Sequence, residues 1–156
     1  MRVHLATDHA GMELSAHLLS HLTAAGHDVV DHGPASYDPD DDYPFFCIDA
    51  AQAVVADQSA GIDALGIVLG GSGNGEQIAA NKVRGVRAAL AWNVETARLA
   101  RQHNDANVVA VGGRQHSVED ATAIIAAFLT EPFSAAARHS RRIAQITRFE
   151  ETGSVA

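Results

Sequence analysis

A chain of 156 residues, 47% of them apolar, is long enough to enclose a core without disulfide or metal staples and short enough for one domain, read as 1–156. Nineteen acidic against eleven basic residues leave a formal charge of −8, which argues against nucleic acid as a partner, because phosphate backbones are gripped by clustered Lys and Arg. The lone cysteine, Cys47, cannot form an internal disulfide, and no apolar run approaches the ~18 residues of a membrane span, so a cytoplasmic protein with no membrane contact is expected.

Short apolar, β-branched runs alternate with stretches of helical period. Residues 3–7 read as a first strand, followed by a helix marked by Leu14, Leu18 and Leu22 and ended by Gly26. A second strand at 27–30 leads into a loop over 31–44, rich in Pro, Asp and Gly, and then a helix over 45–56. The strongly apolar run 65–69 is a third strand, and the glycine loop Gly70-Gly71-Ser72-Gly73-Asn74-Gly75-Glu76 follows it directly. A short helix at 78–81, a strand at 87–92, a helix at 94–103 and a strand at 108–111 come next. Ser117 and Asp120 mark a helix start whose buried face is Val118, Ala121, Ile125 and Phe128. Pro132 opens an extended final helix running to Phe149, with 151–156 as a frayed tail. Such alternation predicts a Rossmann-like three-layer α/β/α sandwich around a five-stranded parallel sheet.

Ligands of parallel sheets bind beyond the carboxyl ends of the strands. Asp8-His9, Gly70 to Glu76, and Gly112-Gly113-Arg114 follow the first, third and fifth strands, so all three groups fall on one sheet edge. The glycine loop lacks both the dinucleotide spacing and the Lys-Ser/Thr ending of a nucleotide loop. Its backbone donors suit an anion, though a plain strand-to-helix turn remains an alternative. Glu76 in a first helical turn is commonly a dipole-stabilising residue. Beside backbone donors and the Ser72 hydroxyl it also fits a base that removes a proton next to a carbonyl, with the donors holding the enediolate oxygen.

Asp8 suits a helix N-cap, and His9 at the same helix start would face a bound anion. His103-Asn104 sits at a helix end, where the dipole favours a histidine. Arg138 and Arg142 share one face of the last helix, with His139 and Arg141 beside them. Together with Arg114 they could bind a phosphate, or equally form a solvated basic face. His17 and His21 lack a third ligand for zinc, and the Asp38 to Asp42 run lacks calcium-loop spacing and reads as solvated. No metal or cofactor is expected.

With these motifs assembled, the chain resembles the type B ribose-5-phosphate isomerases, in the ribose/galactose isomerase family. The likeness runs from about Arg2 to Glu150. It rests on Thr7-Asp8-His9-Ala10-Gly11, Asp42-Tyr43-Pro44, the loop from Gly70 continued through Lys82, His103-Asn104, Gly112-Gly113-Arg114, and Arg138-His139-x-Arg141-Arg142. The resemblance implies metal-independent isomerisation of ribose 5-phosphate and ribulose 5-phosphate, in the pentose phosphate pathway, through a cis-enediolate. Many members carry a cysteine base where this chain has Gly71; here it looks like the actinobacterial subgroup, with Glu76 as base. The same resemblance implies that Ser72 and the amides of Gly71, Gly73, Asn74 and Gly75 hold the enediolate. It has His103, helped by Asp8, open the sugar ring. It also implies that Tyr43 and Asn104 contact substrate, and that His9, Arg114, Arg138 and Arg142 hold the phosphate. It implies a homodimer with shared sites, in which His103, Asn104 and Arg114 are candidates to serve the partner. Another phosphorylated hexose or tetrose as substrate, or a non-catalytic sugar-phosphate-binding module, are the alternatives.

Overall fold

The computed structural model describes residues 1–155. Five strands, β1 (Arg2–Thr7), β2 (Asp28–Asp31), β3 (Ala64–Gly70), β4 (Ala88–Leu90) and β5 (Val108–Gly112), form one parallel sheet in the order β2-β1-β3-β5-β4. Four helices connect them, α1 (Met12–Ala24), α2 (Tyr43–Ser59), α3 (Asn74–Ala80) and α4 (Val94–Asn104), and two more follow β5, α5 (Val118–Thr130) and α6 (Ala137–Thr152). The expected five-stranded α/β/α sandwich is the one observed. No helix among the described residues is long and apolar enough to cross a membrane.

Alternation along the strands builds two cores. Leu5 of β1, Leu65, Ile67 and Leu69 of β3 and Val109 and Val111 of β5 face Leu14, Leu18 and Leu22 of α1 and Ile124, Ile125 and Phe128 of α5. On the other face Ala6, Val68, Val108 and Ala110 meet Cys47, Ala50, Ala51 and Val54 of α2 and Ala79 and Ala80 of α3. The second layer is made of smaller residues, so α2 and α3 lie close to the sheet. Each large aliphatic side chain buried here contributes about 1.5–3 kcal/mol.

The register fixes where loops emerge. Thr7 pairs with Leu69, and Gly70 with Gly112, so β1, β3 and β5 end at one level. β1 and β3 are neighbours whose onward connections diverge, one toward β2 and the other toward β4. That divergence is the switch point where a crevice opens in such sheets.

Several boundaries differ from the sequence reading. Pro132 does not open the last helix: residues 132–136 are irregular, Ala135 has φ 51°, and the Ser134 N–H donates to the Gln102 carbonyl at 3.2 Å. The helix starts at Ala137 and runs through Thr152, capped by Gly153 at φ 73°. Its end is tied down rather than frayed at Glu151: the Gly85 N–H donates to Glu150 at 3.2 Å, and Arg84 pairs with Glu151 at 3.4 Å. α2 begins at Tyr43, because Pro44 suits a first helical turn, where no N–H partner is needed. β4 shortens to Ala88–Leu90 because the Arg87 N–H donates to the Asn107 side chain and the Trp92 N–H to Thr96.

Candidate active site

The loops beyond β3 and β5 are laced together by backbone, and the loop beyond β1 packs beside them. Gly113 donates to the Gly70 carbonyl at 2.8 Å and Arg114 to that of Gly71 at 3.2 Å. Glycine is needed for contact here: a Cβ on Gly112 would run into the Ser72 backbone, and one on Gly11 into the Thr7 hydroxyl. Gly73 takes φ 81°, a left-handed conformation natural to glycine, and turns the chain into α3. The grouping of Asp8-His9, the glycine loop and Arg114 on one edge is therefore as expected.

Glu76 lies in the first turn of α3, yet its side chain is not on the surface. It is buried, at 4% exposure, and folds back against β3, where a Cβ on Gly70 would overlap its carboxylate. Its Oε2 has no hydrogen-bond partner among the described residues. Burial raises its pKa, the Asp8 charge adds to the effect, and backbone donors of Glu76 itself and Gly73 oppose it. A carboxylate with a raised pKa and one uncommitted oxygen is a stronger base than a solvated one, and a mere dipole partner would not need burial.

Around it, Ser72 Oγ accepts from the Asn74 amide at 3.3 Å and from Asn74 Nδ2 at 3.2 Å, which leaves the hydroxyl proton free to donate. The Tyr43 ring lies over Gly75, where a Cβ would strike its hydroxyl end. Asp8 is buried and caps the turn His9–Gly11 by accepting from the Ala10 N–H at 2.9 Å. The Arg114 guanidinium lies 3.6 Å from where a Gly71 side chain would begin. Cys47 sits behind this group, in α2, with its thiol pushed up to about 12 by burial, then by Glu76 and Asp8. It stays a thiol at neutral pH and cannot take the base's role.

The loop of acidic residues is not wholly solvated, which corrects the sequence reading. Asp41 is only 9% exposed and accepts from the His9 ring Nδ1 at 2.7 Å. Sequence reasoning missed it among four neighbouring aspartates; its place two residues before Tyr43-Pro44 was the available signal. Asp8, His9 and Asp41 are the one group among the described residues with metal-ligand spacing. Within it the Ala10 amide donates to Asp8 Oδ1, and the His9 ring pairs with Asp41 Oδ1.

The remaining site residues lie elsewhere. α4 leaves the carboxyl edge after β4 and returns, so His103 and Asn104 end at the amino edge, where Arg87 donates to the Asn104 carbonyl at 2.8 Å. His103 packs against buried His139 with ring centroids 4.2 Å apart and the rings tilted by 41°. His139 is held by Ser134 at 2.9 Å and by Arg138 at 3.1 Å. Burial, then His103, Arg138 and Arg142, lower its pKa. A single chain thus holds Arg114 with Glu76, and gathers His103, Asn104, Arg138 and Arg142 at the opposite edge. The three arginines read as one phosphate cluster do not meet within one chain.

Comparisons with known proteins agree with this geometry. The Ribose/Galactose Isomerase family profile matches residues 3–146. Ribose-5-phosphate isomerase B of Mycolicibacterium paratuberculosis is 59% identical over 97% of this chain and 93% of its own. That of Mycobacterium tuberculosis is 57% identical over 97% and 91%. The crystal structure of ribose-5-phosphate isomerase B from Mycoplasma genitalium with bound ribulose-5-phosphate superposes with a TM-score of 0.90 at 38% identity, covering 97% of each chain. With a match across nearly its full length and the same fold, the chain belongs to the ribose/galactose isomerase family.

Proposed function

We propose that the protein interconverts D-ribose 5-phosphate and D-ribulose 5-phosphate in the pentose phosphate pathway. The observation that carries the reading is Glu76, buried, with a raised pKa and a free oxygen, beside a glycine loop. In the open-chain aldose, Glu76 takes the C2 proton and the electron pair moves onto the C1 oxygen, giving a cis-enediolate. The Ser72 hydroxyl and the amides of Gly71, Gly73, Asn74 and Gly75 stabilise the oxygen that gains charge. Glu76 then returns its proton to C1, and passage of the C2 hydroxyl proton to the C1 oxygen completes the ketose.

The rest of the site comes from a second copy. The partner's His103, with Asp8, opens the furanose ring, and the partner's Asn104 contacts the sugar. Tyr43 borders the bound substrate. His9 and Arg114 of one subunit, with the partner's Arg138 and Arg142, hold the phosphate by charge-assisted bonds. Support for the homodimer is the separation of the two half-sites by the sheet, together with exposed Ile146 and Phe149 on α6 and Phe45 on α2. Function requires no metal in this scheme, and a cytoplasmic location fits the substrate.

A coupled isomerase assay of the purified protein against four-, five- and six-carbon sugar phosphates tests the reading. Turnover highest with ribose 5-phosphate is expected. Preference for a hexose or tetrose phosphate would reassign the substrate, and failure on all would leave a binding module.

A further inference from the structure

The loop between β2 and α2 returns one side chain to the carboxyl edge of the sheet. Asp41 Oδ1 accepts two hydrogen bonds from a single residue, the His9 backbone N–H at 3.1 Å and the ring Nδ1 at 2.7 Å. A carboxylate oxygen only accepts, so Nδ1 must carry a proton. Nε2 is then the one ring nitrogen left for a ligand. Tyr37 meets the same ring edge-on, with centroids 6.0 Å apart, and restricts its rotation. Asp41 Oδ2 is buried with no partner among the described residues, an expense that a loop needed only for solubility would not carry.

We propose that Asp41 is a positioning residue for the isomerisation: it fixes the tautomer and orientation of His9 so that Nε2 is presented to the anionic end of the sugar phosphate. The proposal rests on His9 being a phosphate contact. A ring nitrogen paired to a carboxylate on its far side keeps its near nitrogen aimed, as paired histidines do in other sites. Asp41 itself touches no substrate.

The test joins a spectroscopic and a kinetic measurement. Nitrogen-15 spectra of the wild-type protein should show His9 protonated at Nδ1. Asp41→Ala should lose that signature, weaken inhibition by inorganic phosphate about tenfold and raise KM more than it lowers kcat. Asp41→Asn, whose amide oxygen still accepts, should restore both readouts. A wild-type His9 carrying its only proton on Nε2 overturns the proposal. So does Asp41→Ala with unchanged tautomer, or with unchanged phosphate affinity while His9→Ala weakens it. Unchanged phosphate affinity in His9→Ala instead removes the phosphate contact on which the proposal rests, a failure distinct from the others.

Discussion

At the level of single residues, the site depends on how closely Glu76 is packed. Glu76→Gln should lower kcat by about 10³-fold or more while binding of inorganic phosphate persists, as equilibrium dialysis would show. The raised Glu76 pKa sets the acid limb of kcat/KM above the ordinary carboxylate range: the base must be ionised, so activity falls as pH drops through that value. Asp8→Asn removes a neighbouring negative charge, so any residual activity should have its acid limb at lower pH. Two adjacent glycines give a further contrast. A Cβ at Gly70 would overlap the Glu76 carboxylate, whereas one at Gly71 would meet nothing nearer than 3.6 Å. Gly70→Ala should cost about 10²-fold in kcat, and Gly71→Ala much less, in assays of variants with matching circular dichroism. The sequence revealed Glu76 and the loop because their spacing is local. It hid Gly70's contact and the burial of Asp41, since both depend on residues brought together only by folding.

Among the elements, β1 and α2 are joined by a partly buried polar chain. His4 Nε2 lies 2.9 Å from Asp57, which also takes Arg2 at 3.1 Å, and His4 Nδ1 lies 2.9 Å from His32. Burial is the main cause of a lowered His4 pKa, and the His4 hydrogen bond is the main cause of a lowered Asp57 pKa. For both groups the unfolded chain takes up protons before the folded one does. Their contribution to stability is therefore full above the ordinary histidine range and is lost as pH falls through the folded values. Urea titrations should show stability declining from about pH 7 downward, first through His4 near its ordinary pKa and then through Asp57. His4→Ala should cost about 1–3 kcal/mol by leaving paired groups unsatisfied. Strand runs and helical periods were legible because apolar alternation is written locally. The α6 start was not: Pro132 is a common helix opener, but the Ser134 bond to Gln102 and the left-handed Ala135 hold the chain irregular until Ala137. Strand order was also beyond local pattern, as it follows from how the helices distribute over two faces.

For the molecule as a whole, the proposed dimer makes neither edge of the sheet sufficient alone. Arg142→Ala should raise KM about 10–100-fold, with a smaller change in kcat, because it removes one charge-assisted phosphate contact. Glu76→Gln and His103→Ala proteins, each nearly inactive, should regain activity when unfolded together and refolded at equal concentration. Half of the dimers would then be mixed, each with one intact site of two, giving about a quarter of wild-type specific activity. No recovery would place both residues in the same subunit's site. The separation of Glu76 from His103 by the width of the sheet also has a genetic reading. Two defective alleles of this one gene, one damaged at each edge, would rescue each other in a cell that carries both, so a single gene would sort into two complementation groups.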